Sequence, residues 1–171
     1  MDNAHLQTLN SICAKCGGRC CYYTRPPLTE ERISVLIENG ISLDDIRWGK
    51  YRALELKSTG FCKGYQDGSC RFNGTKPELC AAGPFTFDIK DDKLEIFIKK
   101  DRLCPLASYL KSHPDEFKKS YNSAVCHIIK FVRALPEEEL VEVLRQEKPE
   151  SEKVDEIPLA EVNHGDSGNR A

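Results

Sequence analysis

The chain has no excess of positive charge. Its formal net charge is −2 and its pI is near 6.1. That balance gives no reason to expect nucleic acid or an anionic membrane as partner. No apolar run approaches the roughly 18 residues that a spanning helix needs. The opening Met-Asp-Asn-Ala-His-Leu-Gln lacks the charged-then-apolar layout of a signal peptide. A cytoplasmic location is the expectation. No glycine-rich loop follows a strand-like segment, which removes the usual nucleotide fingerprints. The four histidines, His5, His113, His127 and His164, have no paired ligand spacing. There is no internal repeat.

What is present is cysteine, nine residues of it. That density exceeds ordinary cytosolic usage but stays below that of a disulfide scaffold. An odd count forbids complete pairing within the chain. A reducing compartment disfavours disulfides anyway, so metal ligation is the better expectation. With 171 residues and 40% hydrophobic content, the rest of the chain can form a core of its own.

Periodicity outlines the architecture. A short helix is expected over residues 1–12, with Leu6 and Leu9 on one side. Thr29 is placed to cap a helix running to Glu38, with Glu30 and Glu31 in its first turn and Gly40 beyond its end. A helical turn is expected over 41–47 and a strand over 51–56. Residues 60–84 read as a loop-dominated, cysteine-rich segment. Phe85–Lys90 and Leu94–Lys99 alternate as two strands around an Asp91-Asp92-Lys93 turn. Phe117, Tyr121, Ala124, Ile128 and Val132 make one stripe of a helix bounded by Pro114 and Pro136. A last amphipathic helix follows over 137–146. Residues 148–171 carry six acids against three bases and read as a disordered acidic tail. The expected fold is a small single-domain α+β protein. Helices surround a short antiparallel sheet, with a long irregular metal-binding segment. The division is a cysteine-cluster domain over 1–147 and the tail over 148–171.

The chemistry concentrates in Cys13-Ala-Lys-Cys16-Gly-Gly-Arg-Cys20-Cys21. Thiolates this dense repel one another and oxidise unless a metal or a disulfide neutralises them. Cys13-x-x-Cys16 is a metal-ligand spacing, and Gly17-Gly18 supply the backbone freedom to turn after it. Adjacent Cys20 and Cys21 point apart. They suit two different sites, or different atoms of one multinuclear cluster, better than one ion. Lys15 and Arg19 stand beside them as charge compensation. Cys62, Cys70, Cys80 and Cys104 follow at wide intervals, and Pro105 succeeds Cys104 as in bacterial ferredoxin runs. These eight residues allow two four-sulfur sites, or one site plus spare thiols. Cys126 lies near the stripe of the long helix and reads as a core residue. Trp48 and Tyr51 read as core or rim, and Tyr22 and Tyr23 as a cover for the site.

In this order the cysteines resemble the YkgJ-type cysteine-cluster family, over roughly residues 10–107. The likeness rests on Cys13, Cys16, Cys20 and Cys21, the pair Cys62 and Cys70, Lys76-Pro77-Glu78-Leu79-Cys80 with Pro84-Phe85, and Cys104-Pro105. Leu28-Thr29-Glu30-Glu31 also matches the family's helix start. The departures are a Gly-Gly-Arg gap before Cys20, Lys76 where arginine is usual, no proline after Cys62, and Leu106 where glycine is common. The resemblance implies zinc or iron chelation.

Three readings of function follow. The first is a cysteine-ligated iron–sulfur protein, of the 4Fe–4S type, used in electron transfer or cluster handling. Scattered cysteines and an adjacent pair suit it. The second is a zinc-stabilised module that contacts another protein. The third is a metal-assisted enzyme acting on a protein, for which no catalytic constellation is evident. In the first two the metal ligands are Cys13, Cys16, Cys20, Cys21, Cys62, Cys70, Cys80 and Cys104.

Overall fold

A computed structural model describes residues 3–164, with side chains described from 7 to 162. The fold is a small single-domain α+β structure. In chain order it runs α1 (Asn3–Cys16), a 3-10 turn (Arg19–Cys21), α2 (Glu30–Glu38), a second 3-10 turn (Leu43–Asp45), β1 (Ile46–Arg47) and β2 (Ala53–Leu54). Then come β3 (Tyr65–Gln66), β4 (Ser69–Cys70), α3 (Glu78–Ala81), β5 (Phe85–Lys90) and β6 (Lys93–Lys99). The chain closes with α4 (Pro105–Lys111), α5 (Pro114–Ala134), α6 (Glu137–Leu144), β7 (Ser151–Pro158) and α7 (Leu159–His164). Among the described residues no helix is long and apolar enough to cross a membrane.

Helix α1 extends four residues past its expected end and carries both Cys13 and Cys16. Nothing in Ser-Ile-Cys-Ala-Lys-Cys breaks a helix. Gly17 and Gly18 do, both at φ 71, the left-handed conformation that ends helices. Helix α2 starts as expected: the Thr29 hydroxyl accepts from the Arg32 N–H at 3.2 Å. It buries Ile33 and Leu36 but leaves Ile37 39% exposed. The strand expected over 51–56 shortens to β2, paired with β1.

The main sheet has the order β5-β6-β7, all antiparallel. The β5–β6 turn uses only Asp91 and Asp92, at φ 50 and 58, and Lys93 joins the strand. Phe85, Phe87, Leu94, Ile96 and Ile98 bury one face against α5, whose buried side chains are Ser120, Ala124, Ile128 and Phe131. The buried line on α5 is therefore turned from the expected stripe: Phe117, Tyr121 and Val132 sit at its margin, half-buried.

The disordered-tail expectation is corrected for residues 151–164. Strand β7 pairs along the full length of β6, with a register shift at Ile96/Phe97. Its polar alternation belongs to an edge strand with one wet face. Lys153 pairs with Glu95 at 2.5 Å, Glu156 pairs with Lys93, and Lys111 Nζ reaches Glu152 at 3.0 Å. Ile157 and Val162 add buried apolar area. Residues 165–171 lie outside the described residues.

A second, smaller core holds Leu28, Ile33, Leu36, Ile41, Ile46, Leu54, Cys62 and Phe72. It organises the segment from α2 to β4.

Candidate metal centre

The end of α1 and the 3-10 turn present the first cysteines. Three-residue spacing puts Cys13 and Cys16 on one helix face. The helix then stops at Gly17-Gly18 and the chain turns through Cys20 and Cys21. Gly18 is required twice over. Its φ is 71, and a Cβ there would stand 2.5 Å from the Tyr65 ring. That ring belongs to the β3–β4 hairpin, whose Tyr65 hydroxyl donates to the Gly17 carbonyl at 3.3 Å. The hairpin therefore leans on the terminus of α1.

Two more thiols stand just before this hairpin and on its second strand. Cys62 donates its N–H to the Cys21 carbonyl at 2.8 Å, and its Sγ accepts the Gly64 N–H at 3.4 Å. Cys70 is the register partner of Tyr65. The turn between the strands is Asp67-Gly68, at φ 47 and 85, a two-residue hairpin signal. Residues 60–84 are thus more ordered than a loop.

Cys80 lies on α3. This one-turn helix is fixed by Glu78, which is fully buried and takes Arg32 Nη2 at 2.8 Å and Nε at 3.0 Å on one oxygen. Arg32 Nη1 also donates to the Thr75 carbonyl at 3.1 Å. Among the described residues Oε2 of Glu78 has no hydrogen-bond partner. Cys104 occupies the N-cap position of α4, with Pro105 in its first turn.

These positions bring all eight sulfurs into one electrostatically connected region. Burial pushes the Cys13 thiol up. Lys76 opposes this, while Cys20, Cys104 and Cys16 add to it. The Cys21 S–H donates to Cys20 and draws that thiol down to about 6, against burial and with help from Lys99, its own N–H and Lys76. Cys21 itself is raised, first by donating that bond, then by burial and by Cys20, Cys80 and Cys62. Burial also raises Cys62, opposed by the Gly64 N–H and Lys57 and reinforced by Cys70 and Cys20. Cys80 is raised by burial, then by Cys62, Cys20 and Cys70, with Lys99 opposing.

The couplings converge on Cys20, which acts on Cys13 in α1, on Cys62 and on Cys80 in α3. Leu9 and Ile12 of α1, Leu79 of α3 and Cys104 pack against the large core, whereas Cys21, Cys62 and Cys70 belong with the small one.

Cys13, Cys20 and Cys80 are exposed, and only Cys62 of the nine cysteines is buried. Among the described residues no three His, Cys, Asp or Glu side chains stand in the arrangement that a bound ion requires. The thiols are neighbours rather than a closed coordination sphere. Their donor chemistry fits a soft, thiolate-binding metal.

Several expectations change here. Lys76 and Lys99, rather than Lys15 and Arg19, are the cations that act on Cys13 and Cys20. Lys76 follows Thr75 in the segment that Arg32 ties down; Lys99 ends β6. Neither position is recognisable before the chain folds. Cys126 is exposed on α5, not in the core, because the buried line of that helix runs through Ala124 and Ile128. Trp48 is 62% exposed, and Tyr22 and Tyr23 are 47% and 69% exposed. The two tyrosines begin a ring series, Tyr22 to Phe61 at 5.0 Å and Phe61 to Tyr65 at 4.1 Å. That series borders the Cys21–Cys62–Cys70 side.

Comparison with known proteins gives one match. The model of the CxxCxxCC family, described as "Putative zinc- or iron-chelating domain", matches residues 12–105. No curated protein and no solved structure matches the chain. The matched segment begins one residue before Cys13, ends one residue after Cys104, and covers more than half of the chain. The chain therefore belongs to the CxxCxxCC family of zinc- or iron-chelating domains.

Proposed function

We propose that this protein holds iron through cysteine thiolates as an iron–sulfur centre and serves in electron transfer or cluster handling. The ligands in this reading are Cys13, Cys16, Cys20, Cys21, Cys62, Cys70, Cys80 and Cys104. One observation carries it. Thiols from segments far apart in the chain gather about the adjacent pair Cys20 and Cys21: Cys20 acts on Cys13, Cys62 and Cys80, and Cys62 donates its N–H to the Cys21 carbonyl at 2.8 Å. A 4Fe–4S cluster takes four thiolates, which these eight can supply. Lys76 and Lys99 offset part of the charge that such a thiolate set accumulates. Iron–sulfur chemistry would contribute one-electron redox capacity. The chain contributes the sulfurs, the N–H group of Gly64 on Cys62 and the positive side chains.

The second reading is zinc. Four thiolates also close a tetrahedral structural site, and a hairpin whose glycine N–H points at a ligand sulfur suits that role equally. In this reading the protein is a zinc-stabilised module that meets another protein. Oxygen-free purification followed by elemental analysis and an optical spectrum separates the two. Iron, sulfide and brown colour are expected. Colourless protein with stoichiometric zinc overturns the first reading and establishes the second.

A further inference from the structure

We infer that the ring series of Tyr23, Tyr22, Phe61 and Tyr65, with the groove beside it, is a docking surface for a proline-rich segment of another protein that carries a flanking arginine. The inference stands apart from the metal reading and holds whatever the thiols carry.

The rings form one surface from two segments far apart in the chain. Tyr23 and Tyr22 meet edge to face at 4.4 Å, Tyr22 meets Phe61 at 5.0 Å, and Phe61 stacks on Tyr65 at 4.1 Å. Backbone pairing fixes the series. Tyr22 and Phe61 form an antiparallel bridge, and the Tyr23 N–H donates to the Gly60 carbonyl at 2.8 Å. A Cβ at Gly60 would stand 3.1 Å from the Tyr22 ring and 3.2 Å from that of Tyr23, so glycine there leaves room for both. Yet the outer rings bury little: Tyr22 is 47% and Tyr23 69% exposed. Tyr23 also holds φ 51, an outlying conformation for a bulky side chain. A ring this exposed, carried on a strained backbone, does little for the fold. Strain of that kind gathers at ligand clamps.

The groove names the occupant. It encloses about 380 Å³ against the Phe61 and Tyr65 rings. Lys57, Thr59 and Gln66 line it with N–H and O–H donors, one of which Lys57 already gives to the Tyr65 carbonyl. Rings beside donors suit a chain that presents apolar faces and carbonyls but few N–H groups. Proline supplies that combination, and its preformed extended helix docks on aromatic grooves with little ordering to lose. The carboxylate in the lining is Asp67, and it is exposed. Its charge complements an arginine at the end of the proline run.

The test uses the full chain as purified. Fluorescence anisotropy is read with a labelled oligoproline peptide bearing a terminal arginine, with the same peptide lacking the arginine, and with a glycine–serine peptide bearing it. The first is expected to bind tightest, the second more weakly and the third not at all. Tyr23→Gly removes the outermost ring and accepts the left-handed backbone. It is expected to weaken the first peptide about tenfold with a melting temperature near the parent's. Asp67→Asn tolerates φ 47 and is expected to bring the first peptide down to the affinity of the second. Trp48→Ala, an exposed ring outside the series, is expected to change neither. Absence of binding, equal binding of the glycine–serine peptide, or unchanged affinity in both Tyr23→Gly and Asp67→Asn overturns the inference. So does a parent protein that sediments as a dimer and becomes a monomer in Tyr23→Gly, which assigns the rings to a second copy of this chain.

Discussion

The two cores of this protein are built by different means. The large one packs a three-stranded sheet against long helices, through Phe87, Leu94, Ile96, Ile128, Phe131 and their neighbours. The small one has eight buried residues, one of them Cys62, and its surroundings are two-residue strands and single helical turns. Cutting water-accessible apolar area is enough to hold the first. Elements as short as β1 to β4 bury too little to fix themselves. The comparison teaches that the sulfur-bearing region needs a second organising force, and in the proposed reading metal held by its thiols supplies it.

Removing metal breaks the comparison most strongly. Backbone amides over residues 53–80 are expected to lose hydrogen-exchange protection on chelation, while those of β5, β6 and α5 keep theirs. Uniform loss across both regions, or none, contradicts the distinction. In the large core, Phe131→Ala is expected to cost about 4 kcal/mol by urea titration without changing metal content. For the small core the largest single-residue effect is expected at the buried pair. Glu78→Ala strands the Arg32 guanidinium and costs about 3 kcal/mol. It should also lower metal occupancy, because Cys80 is two residues away. Glycine sharpens the contrast further. Gly18→Ala meets both the left-handed backbone and the Tyr65 ring and is expected to cost about 2 kcal/mol. Gly17→Ala has the same φ but open space, and is expected to cost about half as much. The smallest effect belongs to the sheet edge. Lys153→Ala removes exposed ion pairs to Glu95 and Glu156 and is expected to move the urea midpoint least of all these variants.

Much of the framework of both cores was legible from local pattern. The alternation of Phe85–Ile98, the Thr29 cap and the proline limits of α5 are short-range signals, and each element formed where it pointed. The cysteines were legible as a group because so many thiols have no ordinary use. Other features depend on tertiary placement. Ser151–Pro158 carries few apolar residues and becomes a strand only because β6 offers a free edge and opposite charges. Helix α4 begins at Pro105, a residue noticed only as the successor of a ligand. Asp67-Gly68 was a readable hairpin signal obscured by the cysteines around it. The approach of Cys80 and Cys104 to the N-terminal thiols, and the action of Lys76 and Lys99, follow from packing between segments far apart in sequence.

X-ray absorption at the edge of the bound metal tests the central claim most directly. The account predicts a first shell of sulfur alone, at about 2.3 Å for zinc, in a protein whose metal content falls when any of Cys13, Cys21, Cys62 or Cys104 is replaced by serine. A shell dominated by nitrogen or oxygen near 2.0–2.1 Å, unaffected by those substitutions, would contradict it.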